Sequence, residues 1–315
     1  MKAKTDYTHS TESYEEVITG SSKWMVQRFD YDTFYDLITN KIPALRSGKY
    51  ILSSREGSAD FTGTRNWDAA EQLFTEGWEE GLQKVAEISE IISNTVKQQL
   101  PEVTFQYDVT GGMVDVGTLM SGVPECMLNF NEQETSATKY VDIHVNGSVS
   151  CGVSTTVIEN KGAAIMALVD ALEVLNYRTR VVLHDTATRP SLAANHQYTV
   201  KDYDEPLERD RMAFLAMHPS SFRRLGFTMM EFAPKWMRDE LGVKHFGGYG
   251  APAQTLPSEI FTEKPDVILH GINTGEVDGE LVENTFRTTE DAIKWVLDIL
   301  KGLSVPLADQ IEMND

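Results

Sequence analysis

The sequence predicts an α/β protein with a mainly helical N-terminal extension, on three observations. Residues 139–185 read as strand, helix and strand in about 45 residues, which is a βαβ unit and hence a parallel pair with a right-handed crossover. A later buried-type strand, Pro265-Asp-Val-Ile-Leu-His270, and an amphipathic helix over 290–300 extend that core. Leu82, Val85, Ile88, Ile91, Ile92 and Val96 recur at helical spacing in the N-terminal region.

Taken in order, residues 1–20 are polar. From Trp24 to Leu45 the positions Met25, Phe29, Phe34, Leu37 and Ile38 suggest a short helix ending before Pro43. Asn66 or Thr64 can cap a helix starting at Trp67, which breaks at Gly77-Trp-Glu-Glu-Gly81 and is followed by the helix over 82–96. Asp108 to Met127 is Gly-dense strand and loop material, read as a tightly packed irregular segment. Lys139-Tyr-Val-Asp-Ile-His-Val145 alternates as a strand, Asn146-Gly-Ser-Val-Ser-Cys-Gly152 is a small-residue loop, and Val157 to Leu175 is a helix with Asn176 as its C-cap. Arg178–His184 is a second strand, and His196–Asp202 is a third, short enough for an antiparallel edge. Helices follow over 205–217, 219–225 and 228–240. The expected division is 1–138, a helical region packed on the core; 139–302, the α/β domain; and 303–315, an acidic tail.

The 315 residues carry 28 Lys+Arg and 48 Asp+Glu, a net charge of −20, which disfavours non-specific binding to duplex DNA or anionic membranes. The charge is uneven: −11 over 1–138, zero over 139–245 and −9 over 246–315. Within the neutral middle, Arg209, Arg211, Arg223, Arg224, Lys235, Arg238 and Lys244 leave the 209–245 window at +3, interleaved with aromatics including Trp236. That is the composition of a single-strand nucleic-acid groove, and equally of helices whose aromatics face the core. Two cysteines, Cys126 and Cys151, make no disulfide framework and point to a reducing cytoplasm. No run of about 18 apolar residues would span a membrane, and the N-terminus lacks a signal-peptide stretch.

Residues 140–300 resemble a von Willebrand factor A-like domain: strand, Asn146-Gly-Ser-Val-Ser loop, long helix, strand, antiparallel edge strand, helices, strand, helix. The resemblance implies a three-layer, doubly wound, mostly parallel sheet with one antiparallel edge strand. It also implies a divalent-cation site at the C-terminal edge of the sheet, at Asn146, Ser148 and Ser150, with His270 where a second acid belongs. Asn146 and His270 replace carboxylates that a hard ion such as Mg²⁺ wants, so no cofactor is expected. The plainer reading is a Ser/Gly turn with Ser150 or Ser154 capping the helix.

The whole chain also resembles a group of uncharacterised bacteriophage proteins. The shared motifs are Ser54-Arg-Glu-Gly-Ser with Phe61-Thr-Gly-Thr, Gly77-Trp-Glu-Glu-Gly, Gly122-Val-Pro-Glu-Cys-Met, Lys161-Gly-Ala-Ala-Ile-Met-Ala-Leu-Val-Asp-Ala-Leu and His218-Pro-Ser-Ser-Phe-Arg-Arg-Leu-Gly-Phe. That resemblance implies a phage product in the cytoplasm of an infected bacterium.

Local motifs for a zinc hydrolase, a P-loop, a dinucleotide fold or an α/β-hydrolase are missing. His144, His184 and His270 fall at or near predicted strand ends, which would gather them at one sheet edge as a pocket with Asp185. Three functions are therefore expected, in this order. The first is a non-catalytic phage accessory protein that binds a phage or host protein through the von Willebrand A-like domain. The second is a single-stranded DNA-binding factor that recruits a polymerase in transcription or replication. The third is a metal-dependent enzyme using the strand-end histidines.

Overall fold

The computed structural model describes residues 14–41, 57–97, 105–130, 138–189, 191–241, 255–272, 276–277, 280–281 and 286–305. The chain opens with an antiparallel hairpin, β1 (Tyr14–Thr19) and β2 (Ser22–Phe29), turned at Gly20 with φ +57°. A helix expected from Trp24 is therefore corrected. Trp24 and Val26 face one side of β2, and Met25 packs on the other with a separate set of partners. The run Trp-Met-Val-Gln-Arg-Phe is aromatic and β-branched enough to serve a pleated surface, and a parallel neighbour strand satisfies its backbone. The helix begins later, as α1 (Tyr31–Asp36), where Asp30 caps it by accepting from the Thr33 amide at 2.7 Å.

Next come α2 (Ala59–Thr62), α3 (Trp67–Glu76) and α4 (Glu79–Lys97), with Asn66 capping α3. A small sheet follows, made of β3 (Phe105–Asp108), β4 (Met113–Val114) and β5 (Met127–Phe130), with α5 (Val116–Met120) between β4 and β5. The core continues as β6 (Lys139–Asn146), α6 (Thr155–Val174), β7 (Tyr177–Arg189) and β8 (Leu192–Lys201). The remaining elements are α7 (Arg209–Met217), a π-helical stretch Ser221–Gly226, α8 (Phe227–Glu231), α9 (Lys235–Leu241), β9 (Val267–Leu269), the short pair β10 (Glu276–Val277) and β11 (Glu280–Leu281), and α10 (Thr289–Gly302).

The main sheet is mixed and mostly parallel, in the order β1-β2-β8-β7-β6-β9. β6 runs parallel to β7 and β9, β7 is antiparallel to β8, and β8 is parallel to β2. β8 is thus an interior strand, not the edge its length suggested; the antiparallel edge is β1, and β8 gains its outer neighbour from the N-terminal hairpin. The sheet contains strands from both sides of residue 138.

The long helices pack together over one face of the sheet, with α6 at their centre. α6 is buried nearly all round because α4, α7, α10 and the sheet enclose it. Ile165, Leu168, Val169 and Leu172 are fully buried, each contributing about 1.5–3 kcal/mol through removal from water. Gly162 is required there, because a Cβ would run into the Ala216 carbonyl of α7. The segment 255–263 covers the other face, placing Leu256 and Ile260 on Trp24, Val26 and Ala193. The sheet is layered between helices and this segment.

Candidate functional site

Three places were expected to carry chemistry: the loop after β6, the strand-end histidines and the basic window. The loop after β6 is closed by internal bonds. The Asn146 amide oxygen accepts from the Ser148 amide at 2.9 Å, and the Ser148 hydroxyl accepts from the Thr186 amide at 2.8 Å. Ser154 caps α6 by accepting from Val157 N, and the Ser150 amide donates to the Ile272 carbonyl at 2.9 Å. Two cations serve the loop's carbonyls. Lys161, from the second turn of α6, donates to the Asn146 carbonyl at 2.5 Å and to that of His270 at 3.3 Å. Arg223 donates to the Val153 carbonyl at 3.1 Å and to that of Ser150 at 3.4 Å. Lys161 is 3% exposed, and burial pulls its pKa down to about 7. Two of the four residues expected around Mg²⁺, Asn146 and His270, instead present their backbone carbonyls to the Lys161 amino group, which is an ammonium below about pH 7. The donor set of the four contains no carboxylate, and its side-chain oxygens at 146 and 148 are engaged, so it does not fit a divalent ion.

The histidines do not gather at one edge. β7 continues to Arg189, so His184 lies within the strand. His270 is exposed, with Nδ1 accepting from the Leu256 amide at 3.3 Å. Asp185 is separated from His184 by strand alternation: it faces the helices, where the Tyr198 hydroxyl donates to it, and Gly226 leaves room for its carboxyl. Burial raises the Asp185 pKa to about 7 and that of Tyr198 well above its usual value.

His144 and His184 do meet, on the face under segment 255–263. His144 Nδ1 and His184 Nε2 are 2.7 Å apart, and one proton serves both. His144 Nε2 lies 3.1 Å from Asp142 Oδ2, and His184 Nδ1 lies 3.2 Å from Asn195 Oδ1. Arg180 grips Asp142 through Nε at 2.9 Å and Nη2 at 2.6 Å. Burial alone would push Asp142 up, but the hydrogen bonds from Arg180 and His144 outweigh it and hold the carboxyl at about 2. Burial, then the neighbouring His144, pushes His184 well below its usual value and keeps it neutral. Phe261 packs edge-on against both rings, at 4.9 and 5.7 Å between centroids. All four imidazole nitrogens lie within hydrogen-bond distance of partners inside the network. A cavity of about 210 Å³ opens beside the network, lined among others by Arg28, Arg180, Gln197, Thr199 and Glu263. Among the described residues, no three His, Cys, Asp or Glu side chains cluster to hold a metal ion.

The 209–245 window does not form a continuous basic face. Arg224 is fully buried and donates to Thr64 Oγ1, Thr62 Oγ1 and the Thr64 carbonyl at 2.7–2.9 Å. Arg223 is buried too, reaching the Phe61 carbonyl at 2.7 Å and stacking over the Phe61 ring. Arg209 pairs with Asp170 at 3.0 Å, and Arg211 sits 4.1 Å over the Tyr31 ring. Trp236 is exposed and Arg238 half-buried, both on α9, which begins at Lys235; Lys244 lies outside the described residues. Buried Arg223 and Arg224 instead tie the 61–64 motif to their own, and His218 of the same motif meets a third through Trp78. Phe61-Thr-Gly-Thr meets His218-Pro-Ser-Ser-Phe-Arg-Arg, with Thr64 Oγ1 2.8 Å from Ser220 Oγ, and Trp78 packs edge-on against His218.

Sequence reasoning did not assign function to the small sheet over 105–130. Tyr107, Val109, Val116, Leu119, Met120 and Val123 are all exposed, Met120 at 82% and Val116 at 64%. Met113 and Val114 of β4 are exposed as well. The scaffold beneath them is well bonded. Asp115 caps α5 through the amides of Gly117 and Thr118 at 2.9 and 3.2 Å, and accepts from the Tyr107 hydroxyl at 2.7 Å. The Asn129 amide bridges to the Thr110 carbonyl at 2.8 Å, and Gly111 lies against the Leu128 backbone where a Cβ would clash. The available sequence signal was the density of Val, Met and Leu between turn residues with no alternating polar face. No described helix is long and apolar enough to cross a membrane.

No curated protein and no solved structure matches the chain. A domain of unknown function (DUF7192) matches residues 8–292, which takes in the hairpin, the small sheet, the main sheet and most of its helical layer. The chain belongs to the DUF7192 family.

Proposed function

We propose that the protein is a non-catalytic binder of a partner protein and that the 105–130 module is its contact surface. The observation that carries this reading is the concentration of exposed large apolar side chains on one hydrogen-bonded, capped scaffold. A concentration of exposed apolar side chains on a folded scaffold is the composition of an interaction site. The module carries Asp108, Asp115 and Glu125 and no Lys or Arg, so the partner offers an apolar surface rimmed by basic residues. A second copy of the same chain is disfavoured by the net charge of −20. The burial of His144 and His184 in a network closed by Asp142 and Asn195 supports a non-catalytic role. The succession strand, loop, helix, strand, antiparallel strand, helices, strand, helix over 139–302 supports a von Willebrand A-like reading of the core. The shared motifs support a phage product acting in the cytoplasm of an infected bacterium.

The test begins with affinity capture from infected cells by the wild-type chain, by a Val116→Asp/Met120→Asp variant, and by an Ile18→Asp control, where Ile18 is a 65%-exposed residue on β1. A protein held by the wild type and control, lost from the double variant, and binding the purified chain directly supports the proposal. Equal capture by all three overturns it. Salt-sensitive retention of labelled single-stranded DNA with no protein partner overturns it in favour of a nucleic-acid accessory role.

A further inference from the structure

We infer that Lys161 supplies the cation of the strand-end loop from within the chain, as a tethered ammonium, and that the loop takes no divalent ion. Asn146 is the last residue of β6, and His270 follows the last residue of β9, the neighbouring parallel strand. The Lys161 ammonium bonds the carbonyls of both, at 2.5 and 3.3 Å, so it sits where the C-terminal ends of two parallel strands come together. That is the edge at which open α/β sheets bind their ligands. A buried ammonium is tolerated where oxygen acceptors replace its water. Two carbonyls do so here, and Lys161 is the residue that the shared motif Lys-Gly-Ala-Ala-Ile-Met places one helical turn inside α6.

A second ion cannot share the place. Arg223, also buried, already serves the Ser150 and Val153 carbonyls on the other side of the loop. The Asn146 amide oxygen is held by the Ser148 amide, and the Ser148 hydroxyl by Thr186. No side chain among Asn146, Ser148, Ser150 and His270 brings a negative charge, and the acid beside the loop, Asp185 next to Gly147, is turned to the Tyr198 hydroxyl, so a divalent ion would meet two cations and no free carboxylate among these residues.

The experiment uses the full-length purified chain at pH 6, where Lys161 carries its charge, and reads the melting temperature and calorimetric titration. For the wild type, Mg²⁺, Mn²⁺ or EDTA leaves Tm unchanged within about 1 °C, and titration with Mg²⁺ gives no stoichiometric binding. The Lys161→Ala variant melts several degrees lower, and ammonium or methylamine raises its Tm but not that of the wild type. The Lys161→Met variant, whose side chain fills the same space, gains nothing from either amine. Stoichiometric Mg²⁺ binding by the wild type with a rise in Tm overturns the inference. So does a Lys161→Ala variant that is as stable as the wild type and indifferent to ammonium. If Lys161→Ala does not fold, the wild-type metal titration decides, alongside Lys161→Met.

Discussion

Arg180 holds Asp142 with two parallel hydrogen bonds across the β6–β7 pair, and the same carboxylate receives His144 from its own strand. The pair anchors the polar network on the face of the sheet away from the helices. Asp142 has a folded pKa of about 2 against an ordinary value of 3.8. Its contribution is therefore present above pH 3.8 and is lost as pH falls through about 2. Solvent reaches Arg180, so the contribution is about 1–2 kcal/mol. Urea unfolding between pH 5 and pH 2 shows a fall in wild-type stability that Asp142→Asn lacks, and the variant is the less stable of the two at pH 5.

Asp185 works in the opposite direction. Its folded pKa, raised to about 7, means that its contribution is fully present below pH 3.8 and is lost as pH rises through about 7. The loss is on the order of 2–4 kcal/mol. Asp185→Asn still accepts the Tyr198 hydroxyl and removes the titration. The wild type is predicted to lose stability between pH 4 and pH 8 on this account, and the difference between wild type and Asp185→Asn is predicted to widen across the same range. A constant difference contradicts it.

Arg224 is the buried tie between the 57–64 loop and the helical layer. Arg224→Met leaves Thr62 and Thr64 oxygens without their donor and costs about 2–4 kcal/mol. Limited proteolysis is then predicted to cut within the 57–66 loop at protease levels that leave the wild type intact. Arg224→Lys recovers part of the protection, because an ammonium reaches one or two of the three acceptors.

Gly162 marks where α6 and α7 touch backbone to backbone. Gly162→Ala gains helix propensity but forces the helices apart, and the packing term wins: a net loss of about 1–3 kcal/mol in urea unfolding. A variant as stable as the wild type would mean that α7 sits further from α6 than described.

Much of the core was legible because it is local. Strand β6, helix α6 and strand β7 announce themselves by alternation, by the Ala-rich apolar run and by Asn176, whose φ of +63° ends the helix as an Asn can. In β2, Met25 and Phe29 are four apart, a spacing that fits a helix turn as well as one face of a strand. Only the partner strand β8, more than 160 residues away, decides between them. The site residues were harder still. His184 and Asp185 look like a pair in sequence, yet alternation sends them to opposite faces. Arg223 and Arg224 look like surface charge until the acceptors of residues 61–64 and 150–153 fold over them. Lys161 reads as the polar start of a helix, and nothing in its neighbours tells that two strand ends will meet its ammonium.

The central claim is that the 105–130 module is the surface by which this protein works. The most direct measurement is the affinity of the captured and purified partner for the wild-type chain and for Val116→Asp/Met120→Asp, by calorimetric titration. Removing two central apolar contacts and adding two like charges to an acidic patch is predicted to weaken binding by at least about 100-fold, with circular dichroism and Tm unchanged and Ile18→Asp binding as the wild type does. A double variant that binds its partner as tightly as the wild type contradicts the account.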